Sequence, residues 1–275
     1  QCDWSSDVCS SDLNYSDFTN SGTVGTVDNQ GTFTNNNTTG AVTNTGTFTN
    51  TGTTTTVTNN TGGTFTNTGT AGDWLNNATL SNSGTMGNGT NNGTMTNTGT
   101  VGTTTNTGTF TNSGTVGAVT NSGTMTNTGT LGAVTNTGTL TVSGASQIGD
   151  LVNSGTYNAT GLTAGSSGRN YTQTGTGITI IDGNKQYSTD GTASLAGGIV
   201  VNNSPTAIGK YTYFTANSVT GQYDTLATSN PGNYRLAYTP TAVQLWLMPD
   251  NSVTQGQLNG LASSLSNMKI GRAHV

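Results

Sequence analysis

The sequence predicts an all-β chain, a parallel β-solenoid (β-helix) of 15-residue repeats with a C-terminal β-rich cap. Glycines recur every 15 residues, as at Gly84, Gly99 and Gly114. Single apolar residues recur with the same period between polar neighbours, which is the pattern of short strands with one face inward. The chain is only 6% charged and holds 41 glycines. Its Thr, Asn and Gly content favours strands and turns over helices.

The two ends of the chain resemble a translated sequencing adapter. One DNA spelling of residues 270–275, read as its reverse complement, encodes Asp-Val-Cys-Ser-Ser-Asp, which is the sequence of residues 7–12. We therefore expect residues 1–13 and 270–275 to be artefactual, like a cloning scar. Both cysteines and the single histidine, His274, belong to these ends.

Residues 14–160 are predicted to form the solenoid, and GTFTNSGTVGAVTNS followed by GTMTNTGTLGAVTNT shows the repeat. A unit this small cannot bury its own apolar side chains, so each coil must cover the next. Whether a coil contains one or two units stays open. A longer gap between Gly52 and Gly63 predicts a two-residue insertion in one loop. Two inward columns are expected: Phe110, Met125 and Leu140 in one, Val116 and Leu131 in the other.

Asparagine occupies two fixed positions in each unit, before the Thr-Gly or Ser-Gly of a turn. Stacked coils would place Asn112 beside Asn127, and Asn121 beside Asn136, as amide ladders at the corners. Turn formation explains the same residues more simply, because Asn and Gly tolerate positive φ. Turn formation is therefore the preferred interpretation.

The strict period ends near Tyr157, and longer, more aromatic strands follow. They are predicted at residues 178–181, 197–202, 210–215, 221–223, 234–238 and 242–247. Asp182-Gly183 after the first of them indicates a tight turn. Strands of this kind suit the closure of a solenoid end, so residues 161–250 are predicted to be the cap.

Four segments near the C-terminus share a family pattern. They are YTYFTA from Tyr211, VTGQYDT from Val219, LAY from Leu236 and AVQLWL from Ala242. Together they resemble the C-terminal passenger region of bacterial autotransporters (type V secretion). That resemblance implies a cap with autochaperone character, which helps the passenger β-helix to fold outside the outer membrane.

The same resemblance sets expectations for the rest of the molecule. It implies that residues 251–269, with Leu258, Leu261 and Leu265, form a helical linker toward the protein's own outer-membrane β-barrel, which this chain lacks. The function expected is that of a non-enzymatic passenger segment, an adhesin or surface stalk. Its location would be extracellular, anchored to the outer membrane at the cell surface. Its further partner would be a host or neighbouring-cell surface.

Catalytic, cofactor and metal sites are not expected. Residues 14–168 contain four scattered aspartates and no cation, whereas acid–base catalysis needs clustered carboxylates. Asp182-Gly183-Asn184 lacks the acidic positions that a calcium loop needs, so a hairpin turn is preferred there. Nucleic-acid binding is not expected either, because a chain of pI 4.3 without a basic cluster offers phosphates no partner.

The alternative function is ice binding by Thr-X-Thr rows. If X points inward, both threonines point outward. The residues expected in these rows are Thr94, Thr96, Thr109, Thr111, Thr124, Thr126, Thr139 and Thr141. Such rows resemble the ice-binding face of insect β-solenoid antifreeze proteins. Those proteins depend on disulfides and carry no passenger-like cap, so the resemblance is incomplete.

Overall fold

The computed structural model describes residues 9–163 and 170–249 of the chain. These residues form 35 strands and no helix. The strands stack in parallel coils, so the predicted all-β solenoid is confirmed. The expected helical linker at residues 251–269 lies outside the described residues, as does the C-terminal end at residues 270–275.

The strands fall into three groups along the chain. In the first, four-residue strands alternate with longer ones: β1 (Cys9–Asn14), β2 (Asp17–Asn20), β3 (Thr23–Asn29), β4 (Thr32–Asn35), β5 (Thr38–Asn44), β6 (Thr47–Asn50), β7 (Thr53–Asn59), β8 (Thr64–Asn67), β9 (Thr70–Asn76) and β10 (Thr79–Asn82). In the second, the longer strand is divided in two: β11 (Thr85–Met86), β12 (Gly89–Asn91), β13 (Thr94–Asn97), β14 (Thr100–Val101), β15 (Thr104–Asn106), β16 (Thr109–Asn112), β17 (Thr115–Val116), β18 (Val119–Asn121), β19 (Thr124–Asn127), β20 (Thr130–Leu131), β21 (Val134–Asn136), β22 (Thr139–Gly144), β23 (Gln147–Ile148), β24 (Leu151–Asn153) and β25 (Thr156–Leu162). The third forms wider coils and the cap: β26 (Tyr171–Gln173), β27 (Ile178–Asp182), β28 (Tyr187–Ser188), β29 (Thr192–Leu195), β30 (Gly198–Asn202), β31 (Gly209–Thr215), β32 (Ser218–Gly221), β33 (Thr225–Thr228), β34 (Asn233–Thr239) and β35 (Ala242–Met248).

One 15-residue unit makes one coil. Strand β16 pairs in parallel with β19, which places Phe110 opposite Met125. The offset of 15 residues answers the question that the sequence left open. The strands whose Thr-X-Thr motif surrounds Phe, Met or Leu belong to a 13-stranded sheet, and an 18-stranded sheet contains the coil strands outside it. We call these the Thr-X-Thr sheet and the bent sheet.

Insertions lengthen individual coils without breaking the register. Asn50 lies opposite Asn67, two residues beyond the regular offset, and the extra residues form the predicted loop, in which Gly62 adopts a φ of 92°. The sequence did not reveal a second such loop. There Thr130 lies opposite Gln147, and Gly144 adopts a φ of 65°. Glycine suits both loops because positive φ costs it little.

The two predicted apolar columns are confirmed. Phe110, Met125 and Leu140 are completely buried in one, and Val116 and Leu131 are buried in the other. In the first four coils of this column the residues are phenylalanines, and Leu80 and Met95 follow them before Phe110. The rings of Phe33 and Phe48 stack with their centroids 4.9 Å apart and nearly parallel.

The asparagines form buried ladders, which corrects the interpretation preferred from the sequence. The Asn112 side chain donates to the carbonyl of Gly114, as a turn former does, but it also donates to the side chain of Asn127. Asn121 donates to Asn136 in the second ladder. All four side chains are fully buried. The turn interpretation overlooked that stacked coils remove these amides from water, so each needs a partner in the next coil.

The wider coils continue until Thr228, where β33 still pairs in parallel with β30. Over them lies the cap sheet, ordered β28-β31-β35-β34, in which β35 pairs antiparallel with both β31 and β34. Five of the six predicted strands lie within two residues of β27, β30, β31, β34 and β35. The sixth was misplaced, because the strand ends at Gly221 and leaves Tyr223 beyond it. At the other end of the solenoid, β1 pairs with β3.

Candidate functional site: the threonine rows

The Thr-X-Thr motif places its two threonines on the outer face because its central residue enters the core. Phe110 is completely buried, whereas Thr109 and Thr111 on either side of it are exposed. Alternation of side chains along a strand produces this arrangement. The same alternation holds in neighbouring coils, so burial of the central apolar residue directs the two flanking threonines outward.

Stacking aligns these threonines in two rows along the solenoid. The first row is Thr32, Thr47, Thr64, Thr79, Thr94, Thr109, Thr124, Thr139 and Thr156. The second row is Thr19, Thr34, Thr49, Thr66, Ser81, Thr96, Thr111, Thr126 and Thr141. The eight threonines singled out from the sequence therefore lie together, four in each row. We call this surface the Thr face.

The Thr face is a regular array of methyl and hydroxyl groups. Neighbouring coils lie about 4.8 Å apart, and alternate residues of one strand are about 7 Å apart. Of the eight threonines, Thr126 and Thr141 are half-buried and the others are exposed. None of the eight hydroxyls bonds to another group in the described part of the chain. They are therefore available to water or to a ligand.

The ends of the Thr face are marked by changes of residue type. Asp17 occupies the first-row position before Thr32, and it is the one charged residue in either row. At the other end Thr156 lies opposite Ile178, which is 40% exposed. Between these limits the face carries no charge, so it offers hydrogen bonds and methyl contacts but no ion pairing.

A further threonine row lies on the bent sheet, and the sequence analysis did not identify it. It contains Thr23, Thr38, Thr53, Thr70, Thr85, Thr100, Thr115 and Thr130. The sequence could have revealed this row, because seven of the eight threonines end an Asn-Thr-Gly-Thr or Asn-Ser-Gly-Thr motif. In the later coils the strand ends after this threonine, as at Val116, and resumes three residues later at Val119. A second exposed threonine on the same strand occurs in β7, where Thr53 and Thr55 lie on either side of the buried Thr54.

The turn at Asp182 is tight, as predicted, with the Lys185 amide donating to the Asp182 carbonyl. The hairpin preferred from the sequence is wrong, because β27 lies in the Thr-X-Thr sheet whereas the next strand, β28, lies in the cap sheet. Its carboxylate accepts hydrogen bonds from the backbone amide of Asn184 at 3.0 Å and from the side chain of Asn203 at 3.3 Å. The bond from Asn184 is the main cause that lowers the pKa of Asp182, and Lys185 contributes. Among the described residues, no group of three or more His, Cys, Asp or Glu could hold a metal ion.

A small cavity of about 40 Å³ lies where the coils widen. Its aromatic lining includes Tyr157, Tyr171, Tyr187, Phe214 and Tyr223. One water needs roughly 10–15 Å³ of such space, so the cavity has room for a few waters. Burial raises the pKa of the hydroxyls of Tyr157, Tyr171 and Tyr223.

Comparisons with protein-family models, with curated protein sequences and with solved structures returned no match. Within residues 9–163 and 170–249, no helix is long and apolar enough to span a membrane.

Proposed function

We propose that the chain is a non-enzymatic passenger segment of an outer-membrane autotransporter, acting outside the cell as an adhesin or rigid surface stalk. One observation carries the proposal: the parallel coils end against a sheet in which β35 pairs antiparallel with β31 on one side and β34 on the other. Three of the four segments that resemble the autotransporter family lie in these three strands. An uncovered solenoid end would expose unpaired backbone groups, so a cap at this end suits the role that the resemblance implies.

The packing of the coils supports a stalk. Thirteen strands stacked about 4.8 Å apart give an axis of about 60 Å. Buried amide ladders run along two corners of it, and stacked phenylalanines fill the first coils. Since each coil is tied to the next by backbone and side-chain hydrogen bonds, bending would break several of them at once. The Thr face, which carries no charge between Thr32 and Thr156, suits contact with another surface by hydrogen bonding.

Surface display in a Gram-negative host tests this function. The chain, joined to a secretion signal and to an autotransporter β-barrel, should be exported, resist external protease and increase adhesion over the barrel alone. The same fusion without residues 205–249 should be degraded at the surface. Retention of the complete fusion in the periplasm, or export without either protease resistance or adhesion, would contradict the proposal.

Ice binding is a second candidate, favoured by the Thr face. Nine consecutive coils present threonine in the first row, and a flat lattice of that kind can order water. The test is thermal hysteresis of residues 14–249, with Thr109→Tyr on the Thr face and Thr115→Tyr on the bent sheet as its matched control. Ice binding by the Thr face requires hysteresis that Thr109→Tyr removes and Thr115→Tyr preserves. Absence of hysteresis and of ice shaping rejects this candidate.

A further inference from the structure

The outer face of the cap sheet carries an exposed group of apolar and cationic side chains. We call it the cap patch and define it as Ile208, Lys210, Arg235, Trp246 and Met248. Lys210 lies on β31, Arg235 on β34, and Trp246 and Met248 on the central strand β35. Ile208 immediately precedes β31, at the end of the sheet where Gly209 lies opposite Leu247.

The two cations of the cap patch lie on either side of one tryptophan. Lys210 is opposite Trp246 across one strand pair, and Arg235 is opposite Trp246 across the other. The Lys210 ammonium lies 4.2 Å from the centre of the indole ring. The indole Nε1 donates to the side-chain oxygen of Gln244 at 3.1 Å. Cation–π contact and this hydrogen bond hold the tryptophan on the surface.

The apolar members of the patch are not part of the core. Along β35, Val243, Leu245 and Leu247 are buried, so the alternate residues Trp246 and Met248 face the other way and stay half-exposed. Ile208 is 66% exposed.

The loop before β31 is held in place although Ile208 is exposed. The Tyr211 hydroxyl donates to the carbonyl of Ala207 at 2.6 Å, and the Tyr234 hydroxyl donates to that of Pro205. The loop is thus fixed on both sides, with a large aliphatic side chain directed to solvent.

Positive charge in the described residues is concentrated in this patch. The whole chain is acidic, with a formal net charge of −5. Of the three cations in the described ranges, Lys210 and Arg235 belong to the patch and are exposed. The third, Lys185, donates to the backbone carbonyl of Thr160 at 2.6 Å. Among the residues that the structure describes, this acidic protein therefore presents its exposed positive charge at one site, next to Trp246 and the exposed Ile208.

We propose that the cap patch docks on an anionic lipid surface. Tryptophan is enriched at membrane–water interfaces, where its ring lies at headgroup level. Lys and Arg beside it attract phosphate headgroups, and apolar neighbours such as Ile208 and Met248 enter the outer part of the acyl region. The complementary charge and the apolar residues together identify the occupant. An anionic sugar could bind the two cations and stack on the indole, but it would offer no apolar partner to Ile208 or Met248.

Vesicle co-sedimentation with the full chain tests the proposal. The chain should bind vesicles of phosphatidylcholine with 30% phosphatidylglycerol, and not vesicles of phosphatidylcholine alone. A cation near an anionic surface contributes about fivefold to binding, so Lys210→Gln with Arg235→Gln should weaken binding about 25-fold. Ile208→Ser should weaken it with both charges intact. Lys185→Gln is the matched control, because it removes one cation elsewhere and should leave binding unchanged.

Three results would overturn the proposal. One is equal binding to the neutral and anionic vesicles, or none to either. Another is binding that survives loss of both patch cations, or that falls equally with Lys185→Gln. The third is binding to a soluble uronic-acid polymer in preference to vesicles, which would identify a carbohydrate site instead. Circular dichroism of each variant excludes unfolding as the cause, and the exposed Ile208 provides a test that leaves the charges intact. Since no step depends on export, the result is independent of the proposed passenger function.

Discussion

The side-chain nitrogen of Asn112 donates a hydrogen bond to the side-chain oxygen of Asn127, 15 residues later, at 2.6 Å. Asn112 in turn receives a bond from Asn97 at 2.8 Å. The amides therefore form a directed chain in which every side chain donates toward the C-terminal end. Because these amides are fully buried, each coil must supply hydrogen-bond partners for the asparagines of its neighbour. The ladder, and not the turn alone, therefore explains why asparagine recurs at this position.

Asn112→Ala is expected to destabilise the protein by about 2–4 kcal/mol. The change leaves the buried side-chain oxygen of Asn127 without its donor, which costs about 1–3 kcal/mol. It also removes one acceptor of the Asn97 amide and leaves a cavity in the packed coil, which adds to the loss. Asn92→Ala is the control, since Asn92 is exposed and donates to Asn77 at 2.8 Å. It should change the free energy of unfolding by about 0.5 kcal/mol or less. Urea denaturation measures the change in unfolding free energy for both variants. Equal changes would show that the buried ladder stabilises the protein no more than the exposed Asn92–Asn77 hydrogen bond.

Gly114→Ala is expected to cost about 3 kcal/mol, because coils approach closely at the turns. A Cβ at Gly114 would lie 2.1 Å from the carbonyl oxygen of Gly99 in the preceding coil, which is backbone and cannot move freely. A Cβ at Gly22 would meet nothing within 4 Å, so Gly22→Ala should be nearly neutral. Comparable thermal midpoints for the two variants would contradict this account of the glycine period.

The wide coils are expected to lose stability at alkaline pH. Burial raises the pKa of Tyr157 and of Tyr171 above the usual value of 10.0. Above pH 10 the unfolded chain ionises these hydroxyls while the folded chain keeps them neutral, so the stability present below pH 10 is lost as pH rises. Tyr157→Phe should shift the alkaline unfolding midpoint to higher pH. A pH titration of the unfolding transition checks this, and an unchanged midpoint would contradict it.

Deletion of residues 205–249 is expected to slow or abolish folding of the coils. It removes Leu245 and Val243, which are buried in the common core, and it leaves β29 and β30 without their partner strands β32 and β33. Refolding from urea, followed by circular dichroism, measures the effect. A fragment of residues 14–160 that refolds alone, quickly and reversibly, would show that the cap is dispensable.

The sequence by itself determined the repeat, the inward columns and the orientation of the Thr face. A 15-residue period and a strand alternation are local features, so Phe110 and its flanking threonines could be assigned from spacing alone. Most of the longer strands near the C-terminus were also predictable, because each is a stretch rich in aromatic or aliphatic residues. The strand placed at residues 221–223 was not, since β32 ends at Gly221, whose φ of 68° turns the chain away from the sheet.

The tertiary structure alone decided what depends on neighbours that are distant in the sequence. One unit per coil, the amide ladder from Asn112 to Asn127 and the threonine row through Thr115 all follow from the register between coils. The cap patch likewise exists because β31 and β34 flank β35, which brings Lys210 and Arg235 to one tryptophan across 36 residues of chain. Spacing specifies which face of a strand a residue occupies, but only pairing specifies which residue lies beside it.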